Sequence, residues 1–517
     1  MFWKSSSTKS SKVGFGMDQT RRNGKVVTAH FMVSRCCTVS PNRIRYSPAS
    51  TVQLGNTYPY TEADWEENFK LAEETGIDAF ALNLGPEQWQ SDQARTAYRL
   101  SSARQVKDGG DDGEGLKLFL SLDMNVLPSS DREDMFRIVD LVEEFGGMTG
   151  QFKVTLPHAT HLIWSHADNQ EAKKIVLSTF GGGDTSFGGV GWQGFLVECK
   201  RRNLDIFFMP SFFLPPEKIL GMPYVDATFD WNSGWPMENH TISVASDAVF
   251  IRNERPYMAA VSPWFFTHYG TEGQWAWNKN WIYRSDDNLY ISRWKQILDK
   301  NFDPKFVQVI SWNDYGESHY IGPIMGAQPG SDSWTKHHDH DGWRPLTKYL
   351  VERYKGLPRS TPDVGEPATV GYARNLTSFV RSSQELQVWL TYRTHPKALV
   401  IPTDPIGRPD HADWAQDVIS VAVLLPETKK IKSISIDIKA GDEHRFARKT
   451  DLAPVADLQT FIVPFGPGDI SFEIKQGRET LLEGKGAKIE DRASHLKTYN
   501  FNAWSGYWNV KVVKEGI

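Results

Sequence analysis

The sequence predicts an α/β protein, a (β/α)8 TIM barrel followed by a C-terminal antiparallel β-sandwich domain. Three observations predict it. Short apolar runs alternate with amphipathic helical stretches over residues 25–362. Several of those runs end in a polar or aromatic residue, as strands do where a barrel gathers its functional face. Beyond Leu357-Pro-Arg-Ser-Thr-Pro362 the helical periodicity gives way to alternating strand-like runs separated by turn-rich segments.

Residues 1–24 are rich in Ser, Lys and Arg without an apolar run, and are expected to be a disordered N-terminal segment. The expected barrel strands are Val26–Val33, Ala79–Asn83, Leu116–Asp123, Ile175–Phe180, Ile206–Ser211, Ala227–Trp231, Met258–Ser262 and Phe306–Trp312. Between them lie helical patterns at Glu62–Glu74, Ser91–Arg104, Asp131–Phe145, Trp192–Arg202, Asn288–Asp299 and Arg344–Lys355. The first of these opens on Thr61-Glu-Ala-Asp64, a good N-terminal signal, and stops at Gly76. Eight strands interleaved with helices favour a barrel over an open doubly wound sheet, and no Gly-rich dinucleotide turn follows the first strand. In residues 363–517, Leu386–Tyr392, Val418–Leu425, Ile431–Ile438 and Asp469–Lys475 read as sandwich strands. Trp504-Ser-Gly-Tyr-Trp508 is expected to pack against the barrel, with sugar binding as the alternative.

Bulk numbers exclude several function classes. The net charge is −5, from 58 Lys+Arg against 63 Asp+Glu, and no stretch forms a sustained basic patch, which argues against nucleic acid. No window approaches the ~18 uninterrupted apolar residues of a membrane span, so no membrane partner is expected. Cys36, Cys37 and Cys199 make no disulfide framework. With no secretory h-region visible, an intracellular protein is expected; secretion or the cell wall is the alternative if the natural N-terminus differs. A monomer is expected.

The stretch Val307-Gln-Val-Ile-Ser-Trp-Asn-Asp-Tyr-Gly-Glu-Ser-His-Tyr320 carries the chemistry. A β-branched run ends in Trp312-Asn313, and the carboxylates Asp314 and Glu317 follow with Gly316 between them. Glycoside hydrolysis needs one protonated carboxyl for the leaving oxygen, a second for water or the anomeric carbon, and aromatic faces for the sugar. The alternative is a capping box, with Asp314 as N-cap of a following helix and Glu317 three residues on. Nineteen Trp and seventeen Tyr, many beside Asn, Asp or Gly as in Trp231-Asn-Ser-Gly-Trp235 and Trp275-Ala-Trp-Asn-Lys-Asn-Trp281, favour a site for flat amphipathic ligands. The tract His337-His-Asp-His-Asp341 lacks helical i,i+4 spacing and is expected to be a solvated turn, so no metal and no cofactor is expected.

Ordered motifs then carry a family resemblance. Ala29-His-Phe-Met32, Gly55-Asn-Thr-Tyr58, Asp64-Trp65, Gly76-Ile-Asp-Ala-Phe-Ala-Leu-Asn83 and Leu120-Ser-Leu-Asp-Met124 resemble the fungal α-1,3-glucanases (mutanases) of glycoside hydrolase family 71. So do Ser178-Thr-Phe180, Pro210-Ser-Phe-Phe213, Trp231-Asn-Ser-Gly-Trp-Pro236, Val261-Ser-Pro-Trp-Phe265 and Trp312-Asn-Asp-Tyr-Gly-Glu-Ser318. The resemblance implies hydrolysis of α-1,3-glucan of the fungal cell wall by an inverting mechanism without metal. It implies Asp314 and Glu317 as the catalytic pair, with Glu317 the general acid and Asp314 the general base. Asp123 and Asp230 stand in reserve, to raise the acid's pKa or to place the water. His30, Asn83, Trp231, Trp235, Trp264, Trp312, Asn313 and His319 are expected to line the cleft.

Two segments interrupt the resemblance. Val33–Gln53 and Val154–Gln170 separate motifs that adjoin in the family, and each begins with Val and ends with Gln, compatible with GT…AG boundaries. They are read as retained introns translated in frame, of 21 and 17 codons, against genuine loop insertions. Other functions remain in contention: a retaining glycosidase on another glucan, which would hold its carboxylates ~5–5.5 Å apart, and a catalytically inactive carbohydrate-binding protein.

Overall fold

The computed structural model describes residues 24–33, 55–108, 115–155, 173–253, 255–273, 275–356, 385–426, 433–451 and 458–511. Residues 1–23, the two interrupting segments apart from their edges, and Cys36 and Cys37 lie outside the described residues.

The N-terminal part is built on β1 (Val26–Met32), β2 (Ala79–Leu84), β3 (Lys117–Asp123), β4 (Lys153–Thr155), β5 (Lys173–Phe180), β6 (Ile206–Ser211), β7 (Thr228–Asp230) and β8 (Tyr257–Val261). A hairpin of β9 (Phe266–Tyr269) and β10 (Lys279–Ile282) follows, and then β11 (Phe306–Val309). Eight strands run parallel in the order β6-β5-β3-β2-β1-β11-β8-β7, with β4 antiparallel on β5. The sheet curls until its ends meet: Asp226 N and Ala227 N donate to Phe208 O at 2.9 and 3.3 Å, and Phe208 N donates to Asp226 Oδ2 at 2.9 Å. All eight runs expected to form the barrel are these parallel strands. The hairpin was not foreseen.

Between strands run α1 (Glu62–Thr75), α2 (Gln88–Asp108), α3 (Arg132–Gly146), α4 (Gly191–Arg201), the short α5 (Pro216–Leu220) and α6 (Ala248–Ile251), then α7 (Leu289–Ile297), α8 (Asp332–Thr335) and α9 (Trp343–Tyr354). The Thr61 signal works as read. Thr61 Oγ accepts from Asp64 N, Asp64 Oδ2 accepts from Thr61 N at 2.7 Å, and α1 ends on Gly76 at φ +85°.

Strand parity sorts the core. Val27, Ala29 and Phe31 of β1, Phe80 and Leu82 of β2 and Val307 and Val309 of β11 face outward into the helices. Val26, Ala79, Phe119, Val176, Phe207, Met258 and Phe306 face inward and fill the interior. The same parity puts His30, Asn83, Asp123 and Phe180 on the inward side at the strands' C-terminal ends.

The C-terminal part has two antiparallel four-stranded sheets. Their strands are β12 (Glu385–Arg393), β13 (Val418–Leu424), β14 (Ser433–Ala440), β15 (Arg445–Asp451), β16 (Gln459–Pro464), β17 (Ile470–Gln476), β18 (Glu479–Lys485) and β19 (Ala503–Lys511). One sheet runs β16-β13-β12-β19 and the other β15-β14-β17-β18, and they share an apolar core including Val388, Val421, Ile436 and Phe472. Trp504 and Trp508 pack on that shared core, while Ser505 and Gly506 lie against Gly342 and Tyr507 packs on the core of the N-terminal part, the side expected for this segment.

The two parts are knitted by buried polar contacts. Trp264 Nε1 donates to Phe501 O at 2.8 Å, and Asn288 N donates to Ser420 Oγ at 2.9 Å. The histidine tract departs from the expected solvated turn. His338 and His340 are buried, and His340 lies face to face with Tyr320, ring centroids 3.8 Å apart, within 3.0 Å of Asn502 Oδ1.

Candidate active site

β11 delivers the site. After Val309 the chain turns back on itself: Ser311 N donates to His319 O at 2.8 Å, and Ile321 N donates to Ser311 O at 3.0 Å. Asp314 and Glu317 stand on the loop so closed. Asp314 N donates to Ser311 Oγ at 2.8 Å, and Glu317 N donates to Asp314 Oδ1 at 3.1 Å. The capping interaction therefore exists, but it caps a turn and no helix follows.

His319 ties the carboxylates together. Its Nδ1 lies 3.0 Å from Ser311 Oγ, and its Nε2 lies 3.1 Å from Glu317 Oε2 and 3.9 Å from Asp314 Oδ2. With the proton on Nε2, the imidazole donates to Glu317 and accepts from the Ser311 hydroxyl. Lys279, reaching in from β10, donates to Glu317 Oε1 at 3.2 Å. Asp314, Glu317 and His319 each offer an atom within 4.8 Å of the others, a spacing that could hold a cation. Here the Lys279 ammonium supplies positive charge beside them.

The electrostatics follow. Burial alone raises Glu317, but the Lys279 ammonium and His319 outweigh it and bring its carboxyl down to about 2. Burial raises Asp123 to about 7, against the pull of the Asn125 N–H and Lys279. His30 is lowered to about 3, first by burial and then by His319, with Glu317 opposing, so it is a neutral imidazole. Its Nδ1 is buried without a hydrogen-bond partner among the described residues.

Aromatic rings lead from the rim to this centre. Phe213, 46% exposed, meets Phe180 at 5.1 Å between centroids. Phe180 meets Trp231 at 4.8 Å, and Trp231 stands edge-on to His30 at 4.7 Å. Behind His319 stand Trp235 and Phe265, at 5.6 and 6.0 Å.

The structure gathers His30, Trp231, Trp235 and His319 around the carboxylates, with Asp123 within the field of Lys279. Asn83 is buried at the end of β2, level with Met32 of β1. Asn313 is buried and spent on structure: its Oδ1 accepts from Met32 N at 2.7 Å and its Nδ2 donates to Met32 O at 3.0 Å. Trp312 turns into the outer layer, where it packs on Phe80 and donates from Nε1 to Asn68 Oδ1 at 2.7 Å. Trp264 points to the C-terminal sheets. Asp230 has outward parity on β7, and burial and Asp247 raise it to about 6, Arg293 opposing. Sequence reasoning missed Lys279 and Ser311. Lys279 sits in the quoted Trp275–Trp281 motif, but a lysine among exposed-looking aromatics reads as solvated until β9 is seen to pair with β10.

Comparisons with known proteins bear on the family of the chain. The model of glycosyl hydrolase family 71 matches residues 23–515. The glucan endo-1,3-alpha-glucosidase agn1 of Schizosaccharomyces pombe is 30% identical over 464 residues, covering 88% of this chain and 92% of that protein. A mutanase of Penicillium rubens is 28% identical over 468 residues, covering 88% and 86%. The ascus wall endo-1,3-alpha-glucanase of Schizosaccharomyces pombe is 29% identical over 404 residues, covering 74% and 79%. Among solved structures, the GH99 endo-alpha-mannosidase of Bacteroides thetaiotaomicron superposes with a TM-score of 0.40 at 11% identity, over 64% of this chain and 97% of that one. The chain belongs to glycosyl hydrolase family 71.

Proposed function

We propose that this protein hydrolyses α-1,3-glucosidic bonds of fungal cell-wall α-glucan, with Asp314 and Glu317 as the catalytic carboxylates. The observation that carries the reading is the partly buried cluster of Asp314, Glu317, His319 and Lys279 beyond the C-terminal end of β11, in a chain whose named relatives include α-1,3-glucanases. The neutral His30 offers Nδ1 to a sugar hydroxyl, and the Phe213–Phe180–Trp231 rings offer faces to successive glucose units. We read the scaffold as a (β/α)8 barrel over residues 25–362 and a β-sandwich over 363–517, and the interrupting segments 33–53 and 154–170 as retained introns. Processed transcripts that keep both segments would refute the last point.

Lys279 and His319 keep Glu317 ionised, which suits the base of the pair. The general-acid role then falls to Asp314, the reverse of the assignment drawn from the sequence. A water on the sugar's far face requires an inverting pair ~6.5–9.5 Å apart. In this structure one carboxylate oxygen each of Asp314 and Glu317 lies within 4.8 Å of the other, so an inverting reading has the carboxyl groups turned apart when the glucose ring is bound. The retaining alternative would take its nucleophile from a different strand end, and the anomer first released, followed by proton NMR, distinguishes the two.

The test of substrate and pair is product release from insoluble α-1,3-glucan, with β-1,3-glucan and starch as controls. Oligosaccharides or glucose should appear from α-1,3-glucan alone, and Glu317→Gln should lower the rate by about 100- to 10,000-fold. Equal rates for both proteins would overturn the assignment of Glu317. Silence from both would call for the same assay with residues 33–53 and 154–170 deleted; binding without turnover there would support a carbohydrate-binding protein instead.

A further inference from the structure

The hairpin of β9 and β10 is held from two sides. On the barrel side, Phe266 N donates to Glu317 O at 3.1 Å, and Lys279 Nζ donates to Glu317 Oε1 at 3.2 Å. One hairpin therefore grips both the backbone and the carboxylate of Glu317. On the other side, the loop between β12 and β13 adds itself to the edge of β10. Asp410 N donates to Asn280 O at 2.9 Å, and Ile282 N donates to Asp410 O at 3.1 Å.

Side chains reinforce this edge. Asn280 Nδ2 donates to Gly407 O at 3.2 Å, while its Oδ1 lies 2.7 Å from His268 Nδ1. The other nitrogen of His268 lies 2.9 Å from Asp404 Oδ2, and that carboxylate also accepts from Tyr499 N at 2.7 Å. Strand alternation gives Asn280 to the C-terminal loop and its neighbour Lys279 to the opposite face, toward Glu317.

We propose that Lys279 is a positioning residue for Glu317, and that the β12–β13 loop sets its place, so that the C-terminal sheets act on the reaction through the hairpin. This rests on the reading of Glu317 as a catalytic carboxylate. The groups facing Glu317 are Asp314 and His319 from its own loop, Lys279 and Tyr283 from β10 and the residues after it, and His30 from β1. Asp123 faces Lys279 in turn, and Glu87 lies within reach of Asp123. Of these, Lys279 is the cation whose place a second part of the fold controls.

The experiment uses the full chain and its Lys279→Met, Lys279→Arg, Asn280→Ala and Lys279→Met/Asn280→Ala variants, with Glu317→Gln beside them. In Lys279→Met the acidic limb of kcat should move up by about 1–3 pH units, since an opposite charge at this range holds a carboxyl down by that much. KM should change far less than kcat, and Lys279→Arg should return the limb toward its original position. Asn280→Ala should move it the same way by less. The double variant should be no worse than Lys279→Met alone, because both changes act through one contact. An unmoved limb in Lys279→Met overturns the proposal, and additive losses overturn the part assigned to the loop. Wild-type rates in Glu317→Gln would instead remove the underlying reading. Thermal unfolding gives a readout independent of turnover. Lys279→Met should melt below the wild type at pH 7, and the gap should close as pH falls from about 5 toward 2, where Glu317 takes up its proton. A constant gap overturns the proposal.

Discussion

Glu317 keeps its charge where burial alone would remove it, because Lys279 and His319 stand within 3.2 Å of its two oxygens. Asp123, a few strands away, is the opposite case: its burial goes mostly uncompensated and its carboxyl is pushed up to about 7. A raised folded value means stability that is full below the unfolded value, about 4, and lost as pH rises through 7. Asp123→Asn carries no charge at any pH. Its melting temperature should therefore gain several degrees on the wild type between pH 5 and pH 8; a flat difference in scanning calorimetry would contradict the assignment. Such contrasts were only partly legible in the sequence. His30, Asn83 and Asp123 could be read as inward at strand ends because their strands keep strict alternation. Asp230 was misleading, since it shares the same strand end but the opposite parity, between Phe229 and Trp231. Trp312 was misleading for another reason. The ladder of β11 stops at Val309, and beyond it alternation no longer says where a side chain points.

At the scale of elements, periodicity was enough wherever an element buries one face. Each expected helix is present, and the capping signal at Thr61 predicts its own cost: Thr61→Ala should lose about 0.5–2 kcal/mol in denaturant unfolding, because the Asp64 N–H loses its acceptor. The β9–β10 hairpin escaped detection because each of its strands is only four residues long, too short for alternation to stand out. Phe266-Thr-His-Tyr269 looks like the tail of a strand region, and Trp281 looks like a loop aromatic; pairing with β9 makes β10 a strand, and Asp410 adds a bridge on its outer edge. Strands β15, β16, β18 and β19 were missed as well. In β18, Glu479–Lys485, the residues are half-buried or exposed, so no alternation of burial marks it in the sequence. The buried pair of Arg293 and Asp247 belongs here too. Arg293 spans α7 to β8, with Nη1 and Nη2 donating to Asp247 at 2.8 and 2.7 Å and Nε donating to Ala260 O at 2.9 Å. Asp247→Ala should cost about 3–5 kcal/mol, measured by urea unfolding, because it leaves the guanidinium buried without its anion.

The whole molecule is one packed body rather than two loosely tethered ones. The largest apolar core runs from Val27 through Trp343 to Trp389, Leu424 and Phe501, across both parts. Arg393 of β12 is buried against Asp286, from the turn before α7, and Asp417, which precedes β13. Removing that cation in Arg393→Met should destabilise barrel and sheets together by about 3–5 kcal/mol, as a single unfolding transition. Two separate transitions would show the parts to be independent. A last consequence lies in the pairing of β1 with β11, which sets Val26 beside Phe306 and Ala29 beside Val309. β1, the first strand of this sheet, is central to it and must wait for β11, the last of its parallel strands, before it has both neighbours. During synthesis, the ribosome has therefore released nearly the whole barrel before β1 can be covered, and His30 meets His319 only then. A nascent or truncated chain ending before residue 306 holds an open apolar edge and lacks Asp314, Glu317 and His319 of the candidate site. One pairing, β1 on β11, thus closes the apolar edge and brings the first strand to the candidate site.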